Sequence, residues 1–131
     1  METIFYRCPI CGNIMLKVSG AEVVPHCCGQ QMKKLEPGTS DGKTEYHVPM
    51  VRCCQDGTIT ICVGQQPHPM TDQHYIQFIY LQTERGGQIQ YLNPGAEASA
   101  TFHVKDKPIA IYAYCNLHGL WLHTIDACVR K

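Results

Sequence analysis

Four cysteines within the first 28 residues constrain this chain more than any other feature. Cys8-Pro-Ile-Cys11 is a C-x-x-C, and Cys27 and Cys28 stand side by side after fifteen intervening residues. Two short loops with two thiolates each make a tetrahedral four-sulfur set, which suits zinc or a single iron. Gly12 and Gly29 follow the pairs and ease the tight turns that aim backbone amides at sulfur. Zinc ribbons use two C-x-x-C knuckles, each curled around the metal. Adjacent cysteines cannot form that curl, so the site is expected to be distorted, which favours iron.

The chain has nine cysteines and seven histidines in 131 residues. Nine is odd, so complete pairing into disulfides is impossible. The N-terminal METIFYRCP has no apolar signal core. Metal ligands in a reducing, cytoplasmic setting are therefore expected rather than a disulfide framework. The formal net charge is zero with no basic run, which speaks against a nucleic-acid binder. No stretch approaches the roughly 20 apolar residues of a membrane-spanning helix.

The cysteine-dense segment ends at residue 36, and EPGTSDGKT (36–44) reads as a linker. Two domains follow, 1–36 and 37–131. The second reads as strands. VPMVRCC and TITICVG flank Asp56-Gly57, a hairpin signal. HYIQFIYLQT is rich in aromatic and β-branched residues, and a Gly-Gly turn at 86–87 leads into QIQYL. ASATFHVK, PIAIYAY and LWLHTIDA complete the series. No segment keeps a 3.6-residue apolar period, so an all-β sandwich or barrel is expected.

Metal-ligand candidates recur in this second part: His47 in EYHVP, His68 in PHPM, His74 in QHYI, and the Cys115/His118 pair in YCNLHGLW. The loop from His68 to His74 carries Pro67, Pro69 and Met70 and can place both imidazoles on one centre. A single strand histidine is usually a surface or core residue, but a Pro-flanked pair together with a C-x-x-H is a stronger signal. His26, His103 and His123 have no such context and read as structural. Cys53, Cys54, Cys62 and Cys128 find no partner at metal spacing and read as free thiols.

Taken together these motifs resemble the desulfoferrodoxins, two-iron superoxide reductases, over essentially the whole length. The C-x-x-C…CC segment is similar to the desulforedoxin module. EYHVP, PHPM followed by His74, and CNLHG are similar to the iron-site motifs of the superoxide reductase, or neelaredoxin-like, domain. The resemblance implies an FeCys4 module followed by an immunoglobulin-like β-sandwich in a homodimer. It implies two non-heme irons per chain. His47, His68, His74 and His118 would lie in the equatorial plane of one, with Cys115 axial, and Cys8, Cys11, Cys27 and Cys28 would hold the other. The implied substrate is superoxide, reduced by one electron to hydrogen peroxide, with a rubredoxin-like carrier as electron donor.

The ligand types suit that division. Four neutral imidazoles and one thiolate leave Fe(II) with one net positive charge and an open sixth position. Four thiolates leave it with two negative charges and no opening. Glu45 matches the acidic residue of the family's Glu-Lys-His-Val-Pro motif, which ligates the ferric iron at rest and is displaced on reduction. The lysine of that motif is Tyr46 here, so the family's substrate-attracting cation is missing at this position. Lys43, three residues upstream, is a candidate substitute. A zinc-and-thiol structural module would account for the four N-terminal cysteines but not for five further ligands. A redox sensor would share every ligand with the enzyme.

Overall fold

The computed structural model describes residues 2–38 and 44–125, leaving out the side chains of Thr44, Glu45 and Cys53. Residues 39–43 of the expected linker, including Lys43, and Cys128 lie outside the described residues. The chain divides into two compact units, Met1–Glu36 and Pro37–Lys131.

The first unit contains β1 (Phe5–Arg7), β2 (Ile14–Leu16), β3 (His26–Cys27), β4 (Gln30–Gln31) and β5 (Lys33–Lys34). They form a sheet in the order β2-β1-β5 and a separate β3-β4 ribbon. The core is small: buried Tyr6, Cys8 and Met32, with Ile4, Val24 and Cys27 packed against them. So few apolar side chains rarely stabilise a unit of this size without a cross-link or metal. The ribbon explains the adjacent cysteines. Cys27 pairs with Gln30, leaving Cys28 (φ 55°) and Gly29 (φ 79°) as the two central residues of the turn. Two successive positive φ values are those of a type I′ hairpin turn. The left-handed conformation costs Cys28 roughly 1–2 kcal/mol, and it replaces the knuckle that adjacent cysteines cannot make.

The second unit opens with a single helical turn, α1 (Thr44–His47). Seven strands follow: β6 (Pro49–Gln55), β7 (Thr58–Val63), β8 (Ile76–Thr83), β9 (Gly86–Tyr91), β10 (Ser99–His103), β11 (Pro108–Cys115) and β12 (Gly119–Thr124). They make two antiparallel sheets, β10-β7-β6 and β12-β11-β8-β9. The all-β sandwich expected from the sequence is thus what forms. Along β7 burial alternates strictly, and Ile59, Ile61 and Val63 face a core shared with Ile76, Ile79, Leu81, Phe102, Ile111 and Ala113. Each fully buried isoleucine contributes roughly 1.5–3 kcal/mol. At one side, Gln88 and Gln90 of β9 donate from Nε2 to the His103 and Thr101 carbonyls of β10 at 2.6 and 2.5 Å, tying the two sheet edges together.

The Asp56-Gly57 hairpin forms as expected, with φ of 48° and 81° and Gln55 paired to Thr58. The Gly86-Gly87 turn does not. Thr83 pairs with Gly86, so the turn is Glu84-Arg85 and both glycines belong to β9. The reason is packing: a Cβ on Gly87 would overlap the Tyr80 hydroxyl. The glycine serves the close approach of a neighbouring ring, not a bend.

Strand directions decide where chemistry can gather. Pro49 at the start of β6 pairs with Val63 at the end of β7. In the other sheet, Ile76 at the start of β8 pairs with Cys115 at the end of β11, which pairs with Gly119 at the start of β12. The β7–β8 connection joins the sheets at this end. All five expected ligands therefore fall at one end of the sandwich. Gly64 (φ 83°) secures it, donating its N–H to the Val48 carbonyl at 2.8 Å. A Cβ there would lie 2.6 Å from the carbonyl oxygens of Tyr46 and Gln66. Both obstacles are backbone, so Gly64→Ala is expected to destabilise the metal-free protein by about 2 kcal/mol or more. Urea unfolding measures this, and an unchanged midpoint would contradict the packing described.

Candidate metal centres

The first candidate centre is the four-cysteine group. The sulfurs of Cys8, Cys11, Cys27 and Cys28 all lie within 4.8 Å of one another. Cys11 Sγ is 3.7 Å from Cys27 Sγ, and Cys27 Sγ is 3.9 Å from Cys28 Sγ. A tetrahedron with metal–sulfur bonds of about 2.3 Å has edges of about 3.8 Å, so the spacing already fits an ion. The C-x-x-C lies in the β1–β2 connection, where the Gly12 N–H donates to the Cys8 carbonyl at 2.9 Å and the Cys11 N–H points at Cys8 Sγ at 3.5 Å. That amide holds the Cys8 thiol down at about 6. Cys28 is pushed up to about 12, first by its contact with Cys11 and then with Cys8 and Cys27. Packed sulfurs cannot all ionise without a cation among them, so binding an ion must release protons.

The second centre is built on a closed square of imidazoles. Ring centroids are 4.7 Å apart for His47 and His68, 4.8 Å for His68 and His74, 5.0 Å for His74 and His118, and 4.7 Å for His118 and His47. Neighbours meet edge to face at 73–81°. Across the diagonal, His47 and His74 lie 6.3 Å apart and nearly parallel, at 29°. The ligand atoms of His47, His74, Cys115 and His118 are all within 4.8 Å of one another. His68 stands outside that mutual set, although its ring completes the square.

The ring nitrogens sort themselves. His47 Nε2 is 3.0 Å from His118 Nδ1, and two nitrogens bound at right angles about 2.1 Å from one ion are about 3.0 Å apart. His68 donates from Nδ1 to the Pro69 carbonyl at 2.6 Å, which fixes its tautomer. Its Nε2 and that of His74 are buried with no hydrogen-bond partner. A buried polar atom without a partner is costly, and a metal is the partner that suits a bare imidazole lone pair. Burial holds His68 down at about 4 and lowers His74 as well, so both present neutral nitrogens. Cys115 ends β11 and is fully buried in the core cluster. Burial raises its thiol, against the opposing pull of the Leu117 and His118 amides, which point at the sulfur. Cys115 Sγ is 3.8 Å from His118 Nδ1. The donor set fits a first-row transition ion.

One contributor is absent from the sequence reading. Trp121, 3% exposed on β12, stacks on His47 at 5.0 Å and 25°. Its Nε1 donates to the His118 carbonyl at 3.0 Å. The signal available was its position, three residues after His118. The Glu45 side chain lies outside the described side chains, though its backbone sits in α1 two residues before His47. Cys62 is a free thiol, with Arg52 Nη1 donating to it at 3.3 Å. Cys54 is disulfide-bonded, which corrects its reading as a free thiol. Metal-ligand spacing carries no information about which cysteines approach across a fold.

A family model described as Desulfoferrodoxin matches residues 39–124. A desulfoferrodoxin of Syntrophotalea carbinolica is 40% identical over 116 residues, covering 88% of this chain and 91% of that one. A superoxide reductase of Pyrococcus horikoshii is 36% identical over 106 residues, covering 67% of this chain and 92% of its own. Among solved structures, the superoxide reductase from Treponema pallidum superposes with a TM-score of 0.78 at 28% identity, over 95% of this chain and all of its own.

The buried histidines have a consequence for stability. His68 is held near 4 and His74 below its ordinary value of 6.5, so between these limits the unfolded chain binds more protons than the folded one. Stability is then fully present above about 6.5 and falls as pH drops toward 4. Urea unfolding of metal-free protein across this window is expected to show a falling midpoint that His68→Phe flattens. A flat profile in the wild type would contradict the burial of neutral imidazoles.

Proposed function

The chain belongs to the desulfoferrodoxin family, and from that premise we infer that it is a superoxide reductase. The observation that carries the reading is the closed square of four imidazoles with a buried thiol beside it. His47, His68, His74, His118 and Cys115 would together hold one iron. Support for His68 comes from its Nε2, which is buried without a partner while Nδ1 is committed to Pro69. Cys8, Cys11, Cys27 and Cys28 are read as the ligands of a second iron. Residues 1–36 would then be a desulforedoxin-like module and 37–131 the neelaredoxin-like domain.

Iron held in the histidine site would supply one-electron chemistry, by which superoxide, one electron and two protons become hydrogen peroxide. The protein's part is to set charge and access. Neutral imidazoles and one thiolate leave a divalent ion with one positive charge, which attracts an anion. Burial raises the Cys115 thiol, so a cation beside it would favour the thiolate, and the two would stabilise each other. A Cys115 thiolate would donate electron density to the ion, a principal lever on an iron site. With four thiolates on one ion the four-cysteine site would carry the opposite charge, and its role would be to pass electrons or hold structure. Because reduction consumes electrons, an outside donor is required, which we take to be a small rubredoxin-like carrier. A cytoplasmic homodimer completes the reading. Glu45 is the proposed further carboxylate toward that ion, and Lys43 the proposed substitute for the cation missing at Tyr46.

Reduced protein exposed to pulse-generated superoxide is expected to yield stoichiometric peroxide without oxygen release. Cys115→Ser should lose turnover and the thiolate-to-iron absorption. Cys28→Ser should keep turnover with an artificial donor. Oxygen release, or normal turnover in Cys115→Ser, would sink the assignment. Position 46 gives a separate prediction. A lysine ammonium about 6 Å from the incoming anion contributes roughly 0.7 kcal/mol at water-like dielectric and roughly 3 kcal/mol at an effective constant of 20, so Tyr46→Lys should react about three- to hundred-fold faster. The gain should shrink with salt. Equal rates at low salt would show that the iron site attracts the anion unaided.

A further inference from the structure

We propose that Asn116 is the residue that positions His74 within the five-donor site. The inference rests on the ligand assignment given above. His74 lies in the long β7–β8 connection, and its ring is not held by a protein partner at Nε2. Its backbone is shaped by Thr71. The Thr71 N–H donates to the His74 carbonyl at 2.9 Å, and the His74 N–H donates to Thr71 Oγ1 at 3.1 Å. Those bonds fold the loop on itself. They do not tie it to the rest of the site, because Thr71 and His74 belong to the same loop.

Asn116 supplies the tie. It follows Cys115 directly and precedes His118 by two residues, in the turn between β11 and β12. Its Oδ1 accepts the Tyr75 N–H at 3.0 Å, and its Nδ2 donates to the Gln73 carbonyl at 2.9 Å. Its own N–H donates to the Tyr75 carbonyl at 3.2 Å. Gln73 and Tyr75 flank His74 on either side. Three hydrogen bonds from one residue thus grip the chain on both sides of the histidine, starting one peptide away from the sulfur of Cys115. Its amide offers an acceptor and a donor on neighbouring atoms, and both are used. The two partners also settle which side-chain atom is oxygen, since an N–H faces one and a carbonyl the other. Asn116 thereby registers His74 against Cys115 without touching the metal position. Partners of this kind typically change metal affinity by about 10–100-fold when removed.

The test is a double-mutant cycle on the full-length protein loaded with ferrous iron without oxygen. Iron loss to a chelator is followed from the site whose thiolate-to-iron absorption depends on Cys115. Urea unfolding of each metal-free variant controls for folding. Asn116→Ala is expected to weaken iron binding about 10–100-fold and to shift the thiolate-to-iron band. Asn116→Asp keeps the acceptor for Tyr75 and loses the donor to Gln73, so it should fall between wild type and Asn116→Ala. In a His74→Ala background, Asn116→Ala should add less than about twofold, because residues acting as one unit are non-additive. Unchanged affinity in Asn116→Ala, or the same full loss in both backgrounds, would overturn the proposal. If Asn116→Ala does not fold, Asn116→Asp runs through the same cycle, and unchanged affinity or an equal loss in both backgrounds overturns the proposal there too. Unchanged affinity in His74→Ala itself would overturn the ligand assignment, and this proposal with it. An overturned proposal with His74→Ala still weakened leaves the assignment standing.

Discussion

Bare imidazole nitrogens turned toward one another inside a protein are the constraint on which the second unit depends. His68 Nε2 and His74 Nε2 have lost water and gained no protein partner. His47 Nε2 and His118 Nδ1 approach to 3.0 Å. Such an arrangement carries a desolvation cost at His68 and His74 that a cation among the nitrogens would offset. It can be held open only by elements that do not yield. The sandwich provides them: β6 and β7 from one sheet and β8, β11 and β12 from the other end at the same place. A packed core of Ile59, Ile61, Ile76, Ile79, Leu81 and Ile111 fixes the separation of those ends. Around them, Trp121 braces His47 by its face and the His118 carbonyl by its N–H.

The first unit meets the same problem with different means. It has almost no core, so rigidity comes from short hairpins and from amides aimed at sulfur. A type I′ turn puts Cys28 in a conformation that side chains other than glycine rarely adopt. That local cost brings two adjacent sulfurs within 3.9 Å of each other. Four sulfurs at tetrahedral spacing repel as anions and stay partly protonated until a metal arrives. Both centres are thus pre-arranged in the folded chain and unsatisfied without an ion. They differ in the charge each leaves on it, and that difference underlies the proposed division between electron handling and substrate reduction.

Much of this was legible in the sequence because its signals are local. The C-x-x-C, the adjacent Cys27-Cys28, the C-x-x-H and the aromatic and β-branched strand runs each span a few residues, and the Asp56-Gly57 turn is a dipeptide signal that tertiary packing did not override. What escaped was non-local. Gly86-Gly87 looks like a turn until the Tyr80 ring is placed against it. Trp121 joins the site through its stacking on His47, 74 positions away in sequence. Asn116 is ordinary by type, and only its contacts with Gln73 and Tyr75 show what it does. Spacing identifies the histidine candidates, but the square they form and the nitrogen each presents follow from the topology that joins the two sheets at one end.

The central claim is that four imidazoles and one thiolate converge on a single ion. The most direct test is a crystal structure of the iron-loaded protein with anomalous scattering recorded at the iron edge. A peak is expected within bonding distance of His47 Nε2, His68 Nε2, His74 Nε2, His118 Nδ1 and Cys115 Sγ. A peak in the four-cysteine group alone, or an ion in the second unit that leaves Cys115 or His68 unbound, would contradict the account.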